Sequence, residues 1–201
     1  YSSDPRILTG EIEQLTNYKK RKKNLENRKN ILKEKDDDRS NAELKILERL
    51  FSLGPVNFDS VIIIDFGSSL KSVLSSLVYT DVDDTTVLIS TVNQWFDESI
   101  FHKNLVKNLY FPSVNMKQFK RYNENYFKFY GMKPDEITIL AYDALGLVHY
   151  VWKRNKGIKT INNFFIKEEI RGKIGTFKFK DKKVSQQLKM YKTDNNRFKE
   201  Y

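Results

Sequence analysis

The chain of 201 residues contains no cysteine and only two histidines. Without cysteine there can be no disulfide, no thiolate metal ligand and no cysteine nucleophile. Neither His102 nor His149 stands at metal-ligand spacing from an acidic pair, and no serine–histidine signature is present. The sequence therefore predicts no metal centre, no cofactor and no catalytic residue, and we expect a protein that is not an enzyme.

Phosphate-binding glycine loops and long hydrophobic runs are also missing. The segment Phe66-Gly67-Ser68-Ser69 does not match a P-loop, and Gly172 and Gly175 lie in a predicted hairpin rather than between a strand and a helix. The longest apolar run, residues 137–152, is interrupted by polar side chains and is shorter than the roughly 20 residues that a spanning helix needs. We therefore expect neither a nucleotide pocket nor a transmembrane span.

Positive charge is the strongest compositional bias, with a formal net charge of +10. Such a charge is typical of nucleic-acid-binding proteins and also favours contact with an anionic membrane surface. Lysine, asparagine, isoleucine, tyrosine and phenylalanine share AT-rich codons, however, so genome composition alone can raise the charge. We favour that last explanation and expect no nucleic-acid partner.

Residues 1–54 are predicted to form a charged helical hairpin. Residues 36–38 interrupt the helical pattern, Ser40 is expected to cap the second helix, and Gly54-Pro55 closes it. The basic run YKKRKK, residues 18–23, is predicted to be an exposed face. The thin apolar stripe consists of Leu15, Tyr18, Leu25 and Leu32 in the first helix and Leu44, Leu47, Leu50 and Phe51 in the second.

Strands and helices alternate from residue 55 to residue 115. The strands are predicted at residues 58–65, 86–91 and 108–113, with a helix capped by Ser68 after the first and a short helix at residues 100–106. Short loops and successive apolar residues in the strands indicate a parallel α/β sheet covered on both faces.

The remaining chain is predicted to be two helices followed by a hairpin. An aromatic-rich helix covers residues 117–130, and a helix that is apolar nearly all round, hence deeply buried, covers residues 135–155. Residues 172–192 alternate as a two-stranded hairpin, with Val184, Leu188 and Met190 on the return strand.

Two acidic features have both a functional and a structural interpretation. The turn residues Asp81, Asp83 and Asp84 are compatible with a calcium site, but a solvated connection is the commoner use of such a turn. Asp143 is the one carboxylate in an otherwise apolar helix. It is either a polar contact facing another lobe or, as we favour, a partner in a structural hydrogen bond.

Polar and aromatic residues follow the first two predicted strands, where open α/β sheets bind ligands. The two serines bring hydroxyls and helix N-terminal amides suited to a carboxylate. The neutral amide side chains add hydrogen bonds, and the two aromatic side chains supply apolar walls. The set lacks a general base and a nucleophile, so it predicts a site that holds a small polar molecule. Its members are Phe66, Gly67, Ser68, Ser69, Thr91, Asn93, Gln94 and Trp95.

Several segments together resemble one family over roughly residues 55–192. Their order is FDSVIIID, LVYTDVDD, TVLISTVNQW, NLYFPS, the aromatic pattern ending YGMKP, AYDAL and IRGKIGTFKFKD. This order is similar to that of the type I periplasmic ligand-binding proteins, which include the leucine and branched-chain amino-acid receptors of ABC transporters. The chain departs from the family pattern at Asp59-Ser60, where Asp-Ala is usual, and at Lys182, where glycine is usual.

The resemblance implies the distal part of a two-lobe α/β protein that closes around a ligand and works with an ABC permease. Residues 55–115 would form the sheet of the second lobe, residues 116–170 would return to the first lobe, and residues 171–201 would be a terminal hairpin and tail. The first lobe's own sheet would lie upstream, so we expect a large uncovered apolar patch on the helices at 117–130 and 135–155.

The charged hairpin before the sheet also resembles the penicillin-binding-protein-activator-like branch of this fold. That branch implies a regulator of peptidoglycan synthesis, for which a cell-wall synthase is the partner and residues 11–54 are a candidate contact surface. Either resemblance implies the periplasm, with any lipoprotein signal lying upstream of Tyr1.

Overall fold

The computed structural model describes residues 4–35, 37–92, 95–104, 107–181 and 183–201. The chain divides into a first unit, residues 1–111 with 192–199, and a second unit, residues 112–191 with 200–201. Within the described ranges, no helix is both long enough and apolar enough to cross a bilayer. The core of the first unit is formed by a sheet and the helices packed on it.

Three helices, not the predicted two, precede the sheet of the first unit. They are α1 (Pro5–Leu15), α2 (Tyr18–Lys35) and α3 (Asp38–Leu47). Asn17, whose φ is +51°, separates α1 from α2. The Ser40 cap was wrong, because the side chain of Asp37 caps α3 by accepting a hydrogen bond from the Ser40 amide at 2.8 Å. Leu25, Leu32 and Leu47 form the small buried core of this hairpin.

The basic run at residues 18–23 is not uniformly exposed, because Arg21 is buried. Its guanidinium donates to the carbonyl oxygens of Gly54 at 2.8 Å, Thr80 at 2.7 Å and Asp81 at 3.0 Å. Burial lowers the pKa of Arg21, and the carboxylate of Asp81 acts in the opposite direction. One buried cation thus ties the helical hairpin to the turn after the next helix, α4 (Gly67–Tyr79).

The main sheet has five strands in the order β1-β2-β3-β7-β8. Both β1 with β2 and β2 with β3 pair in parallel, which confirms the predicted parallel α/β sheet. Parallel pairing follows from the crossover connections, since α4 and a 3₁₀ helix (Glu98–Asn104) join successive strands. The strands are β1 (Ser60–Ile63), β2 (Leu88–Thr91), β3 (Leu109–Ser113), β7 (Lys189–Asp194) and β8 (Arg197–Glu200).

Helix α4 covers the sheet through Leu70, Leu74 and Leu77, which are all buried and share one cluster with Ile89 and Leu109. The expectation that both faces of the strands are covered was wrong. Three apolar side chains are exposed: Ile62 of β1 at 71%, Ile64 directly after β1 at 78%, and Leu88 of β2 at 50%. Successive side chains of a strand point to opposite faces, so Ile63 is buried under the covered face, whereas its neighbours Ile62 and Ile64 are exposed on the other.

The second unit contains the two predicted helices, α5 (Met116–Tyr130) and α6 (Glu136–Asn155). Asn115 caps α5 by accepting from the amide of Gln118, and Gly131 ends it with a φ of +70°. A 3₁₀ helix (Ile161–Phe164) follows α6. The second sheet is antiparallel in the order β4-β5-β6, formed by β4 (Ile170–Arg171), β5 (Thr176–Lys180) and β6 (Lys183–Gln186).

The predicted single hairpin at residues 172–192 is divided between the two sheets. Val184 lies on β6, opposite Phe179 of β5, as a hairpin requires. Met190, however, lies on β7, which belongs to the five-stranded sheet. The alternating pattern identified strands correctly but could not assign the second return strand to its sheet. Lys182 lies outside the described residues.

Apolar side chains of the second unit are extensively exposed, as the resemblance led us to expect. Helix α6 is not deeply buried, because only Ile139 and Val151 of its apolar residues are fully covered. The aromatic helix α5 buries Phe119 and Tyr122 but not its last turn. The exposed apolar residues of these two helices are Phe127, Phe129, Tyr130, Ile137, Leu140, Tyr142, Leu145, Val148, Tyr150 and Trp152.

Candidate ligand site

The carboxyl ends of β1 and β2 lie side by side in the first unit. Ile63 stands opposite Thr91 in the parallel register. The hydroxyl of Thr91 donates to the carbonyl oxygens of Ile63 at 2.7 Å and Asp65 at 3.0 Å, so it joins the ends of the two strands. This arrangement confirms that the two strands lie side by side and end at one edge of the sheet.

Helix α4 begins at this edge with a sharp backbone turn. Phe66 is extended, with φ −150° and ψ 171°, and Gly67 has a φ of +60°, a conformation that favours glycine. The predicted cap by Ser68 was wrong, because Phe66 occupies the N-cap position and no side chain caps the helix. The first amides of α4 therefore remain available to an anion or a carbonyl.

The predicted site residues differ in what they present. Phe66 is 70% exposed, Ser68 is exposed and Ser69 is half-buried in the first turn of α4. Thr91 is buried and committed to backbone carbonyls, so it shapes the site rather than facing a ligand. Trp95 is half-buried. Asn93 and Gln94 lie outside the described residues, and their role stays a prediction.

A polar cluster one turn into α4 was missed by the sequence analysis. The ammonium of Lys71 donates to the hydroxyl of Ser99 at 2.7 Å and lies 3.7 Å from the carboxylate of Asp97. Partial burial acts to raise the pKa of Asp97, but hydrogen bonds from Ser99 and the charge of Lys71 outweigh it and hold the pKa below its ordinary value. The sequence around Lys71, which is two residues after Ser69, contains no motif that could have revealed this cluster.

Phe96 anchors the loop between β2 and the following 3₁₀ helix. Its ring is buried and makes edge contacts with Phe111 at 6.1 Å and Phe198 at 5.5 Å between ring centroids. Its backbone has a φ of +59°, which is unfavourable for a bulky residue. Burial of the ring holds this conformation and thereby fixes the backbone directly after Trp95.

Backbone hydrogen bonds account for the acidic turn after α4. The carboxylate of Asp81 accepts from the amides of Phe51 and Ser52, and that of Asp84 accepts from the amides of Lys107 and Asn108. In the described residues no group of three or more potential ligands could hold a metal ion. Asp81 and Asp84 therefore anchor backbone amides, a structural use that differs from both a calcium site and a solvated connection.

Asp143 acts as a structural acceptor in the second unit. Its carboxylate accepts from the amide of Lys173 at 2.5 Å and from that of Ile174 at 3.5 Å. It also contacts Gly172 so closely that a Cβ at this position would collide with it. The favoured structural interpretation of Asp143 agrees with these contacts.

Solved structures that resemble this chain include the following two. One is a Rhodospirillum rubrum protein assigned as a branched-chain amino acid ABC transporter, with a TM-score of 0.55 and 12% identity over 66% of this chain and 41% of that chain. The other is the leucine-binding protein LivK of Thermotoga maritima, with a TM-score of 0.56 and 15% identity over 83% of this chain and 48% of that chain. No protein-family model and no curated protein matches the sequence.

These likenesses establish the fold, which is that of the type I periplasmic binding proteins. The parallel sheet with flanking helices confirms the predicted fold class. The chain spans less than half the length of either solved protein. Both of those proteins carry names of solute-binding or transport proteins.

Proposed function

We propose that this chain is part of a periplasmic solute-binding protein of the ABC-type branched-chain amino-acid transporter family. Its ligand is a small polar molecule, such as an amino acid, and its partner is an ABC permease. The fold shared with LivK and the Rhodospirillum rubrum protein supports the class. The ligand contacts come from the residues predicted after β1 and β2.

The observation that carries this proposal is the hydrogen bond of the Thr91 hydroxyl to Asp65, which brings the two strand ends together. Beside this bond, the uncapped start of α4 offers amides and the hydroxyls of Ser68 and Ser69. Donors in this arrangement suit the carboxylate of an amino acid. Phe66 and Trp95 supply apolar surface for the rest of the ligand.

The proposal includes a first lobe whose sheet lies upstream and supplies the remaining ligand contacts. Two observations support it: the apolar face of α6 is exposed, with Leu145 at 70%, and so is Ile62 of β1 at 71%. Exposed apolar areas of this kind mark surfaces that another segment or chain covers. Closure of two lobes around the ligand would then follow the hinge mechanism of this fold.

A second candidate function is that of a penicillin-binding-protein-activator-like envelope lipoprotein that regulates peptidoglycan synthesis. The anchored hairpin α2–α3 favours it, because Arg21 fixes the hairpin at the C-terminal end of α4 rather than at the ligand-site end. A rigid surface in that position could contact a cell-wall synthase without involving the ligand site.

A thermal-shift screen of amino acids and cell-wall fragments against the full-length protein distinguishes the two functions. We expect one class of amino acid to raise the melting temperature saturably. Replacing both Ser68 and Ser69 by alanine should then weaken the affinity at least about tenfold, which corresponds to about 1.4 kcal/mol. Stabilisation by cell-wall fragments alone would favour the regulator.

The matched control replaces Ser72 and Ser75, two serines further along the same helix, by alanine. Their hydroxyls donate to the carbonyls of Ser68 and Lys71 within α4 and are not part of the proposed site. The control should bind as tightly as the unchanged protein. Equal losses in both double variants would argue against a site at the start of α4.

A further inference from the structure

Four lysines of α2 form a continuous cationic surface, which we call the lysine patch: Lys19, Lys20, Lys22 and Lys23. All four are exposed. At 3.6 residues per turn, their side chains project over an arc of about 160° on the side of the helix opposite Arg21. Arg21, the fifth cation of this run, therefore points into the protein, and the four lysines face solvent.

No ion pair among the described residues neutralises the lysine patch. Arg28 of the same helix, by contrast, is paired with Glu43 at 2.7 Å. The nearest acidic residues along the chain are Glu13, which is half-buried at the end of α1, and Glu26, one turn further along α2. Four positive charges thus lie within about two helical turns, with no acidic side chain bound to them.

The patch is held in a fixed orientation. Arg21, in the centre of the run, donates to three backbone carbonyls, and its own carbonyl accepts from the amide of Leu53 at 3.0 Å. The one aromatic residue of the run, Tyr18, is buried against Tyr79 with ring centroids 5.1 Å apart. The exposed side chains of the run itself are therefore all ammonium groups, and the exposed aromatic surface of Tyr79 and Phe51 lies beside Tyr18 rather than among them.

We propose that the lysine patch binds the anionic headgroups of a lipid bilayer and holds this face of the protein against the membrane. Protein interfaces are centred on apolar and aromatic side chains and contain few lysines, and single-stranded nucleic acids require aromatic surfaces for stacking. The patch has neither. Flexible, strongly hydrated ammonium groups on one face suit a diffuse layer of phosphate headgroups, which demands no fixed geometry.

Co-sedimentation with lipid vesicles tests this proposal on the full-length protein, produced without lipid modification. We expect binding to vesicles of phosphatidylglycerol mixed with phosphatidylcholine and none to phosphatidylcholine alone. Raising the ionic strength from about 0.1 M to about 1 M shortens the Debye length from about 10 Å to about 3 Å and should release the protein. Binding that ignores both lipid charge and salt would overturn the proposal.

A variant with all four patch lysines replaced by glutamine should lose at least about tenfold in vesicle partitioning, since each lysine contributes up to about fivefold. The matched control replaces Lys153, Lys159, Lys178 and Lys183, four exposed lysines of the second unit, by glutamine and removes the same charge. The control should keep most of the binding. Equal loss in both variants, or tighter binding to duplex DNA than to the anionic vesicles, would refute the assignment to lipid.

Discussion

Helices α4 and α6 are both apolar, yet the apolar side chains of α4 are buried and most of those of α6 are exposed. In α4, Leu70, Leu74 and Leu77 are each at most 1% exposed. In α6, which is longer by seven residues, Leu145 is 70% exposed and Ile137 is 72% exposed. An apolar sequence pattern therefore indicates that a helix needs a covering surface. It does not indicate which part of the fold supplies that surface.

Leucine truncation in the two helices should give the largest difference. Leu74→Ala opens a cavity in a packed core, and we expect a loss of about 2 to 5 kcal/mol in the free energy of unfolding. Leu145→Ala in the 201-residue chain removes an exposed side chain and should cost less than about 0.5 kcal/mol. Urea denaturation followed by circular dichroism measures both, and equal costs would contradict the assignment of α6 as uncovered.

The next largest loss of stability is expected when Arg21, which anchors the helical hairpin of the first unit, is replaced. Arg21→Met leaves the buried carbonyl oxygen of Thr80 and its neighbours without their charged donor, so we expect a loss of about 2 to 4 kcal/mol. Lys22→Met, one position along the helix, should change stability by less than about 0.5 kcal/mol. If the two variants unfold at the same urea concentration, Arg21 does not hold the hairpin.

Two glycines of the second unit should respond in opposite directions. Gly172→Ala places a Cβ against the carboxylate of Asp143, and we expect a loss of about 1 to 3 kcal/mol. Gly146→Ala, within α6, meets no atom within 4 Å and should stabilise by about 0.5 to 1 kcal/mol through helix propensity. Melting temperatures of the two variants report the signs, and a shared sign would require α6 to be covered near Gly146.

The smallest expected difference between the two units is in how much stability an ion pair of each unit loses at low pH. Because the folded-state pKa of Asp97 lies below its ordinary value, its contribution to stability is present above about pH 4 and disappears as the pH falls further. Asp97→Asn should reduce the loss of melting temperature between about pH 5 and pH 3, by an amount equivalent to less than about 1 kcal/mol.

The control for this titration is Glu168→Gln in the second unit. The side-chain hydrogen bond from Arg154 lowers the pKa of Glu168, so its effect has the same sign. The side chains of this ion pair are 43% and 62% exposed, against 33% and 44% for Lys71 and Asp97, so we expect the Glu168→Gln titration curve to follow that of the unchanged protein more closely. A larger effect of Glu168→Gln than of Asp97→Asn would contradict the partial shielding of Asp97.

The order of strands and helices in this fold could be predicted because it rests on local patterns. Apolar runs located β1, β2 and β3, and their connecting segments required parallel neighbours, which the pairing of Ser60 with Leu88 confirms. The end of α5 at Gly131 was predictable for the same reason, since glycine readily adopts a positive φ. The strand-end site followed from topology rather than from any motif.

Features that depend on distant partners could not be predicted. Nothing near Arg21 in the sequence distinguishes it from the four lysines around it, because its acceptors lie up to 60 positions away. Likewise, Lys71 and Asp97 meet only after the sheet has formed. The strand containing Met190 was misassigned because period-two alternation is the same in both sheets.

The position of Arg21 also bears on how the protein is made. Its acceptors at Thr80 and Asp81 are 59 and 60 residues further along the chain. At about 5 to 20 residues per second, the ribosome adds them roughly 3 to 12 seconds after Arg21. During that interval Arg21 has its Gly54 acceptor but lacks the other two, so the complete anchoring of the hairpin to the end of α4 cannot precede the synthesis of Thr80 and Asp81.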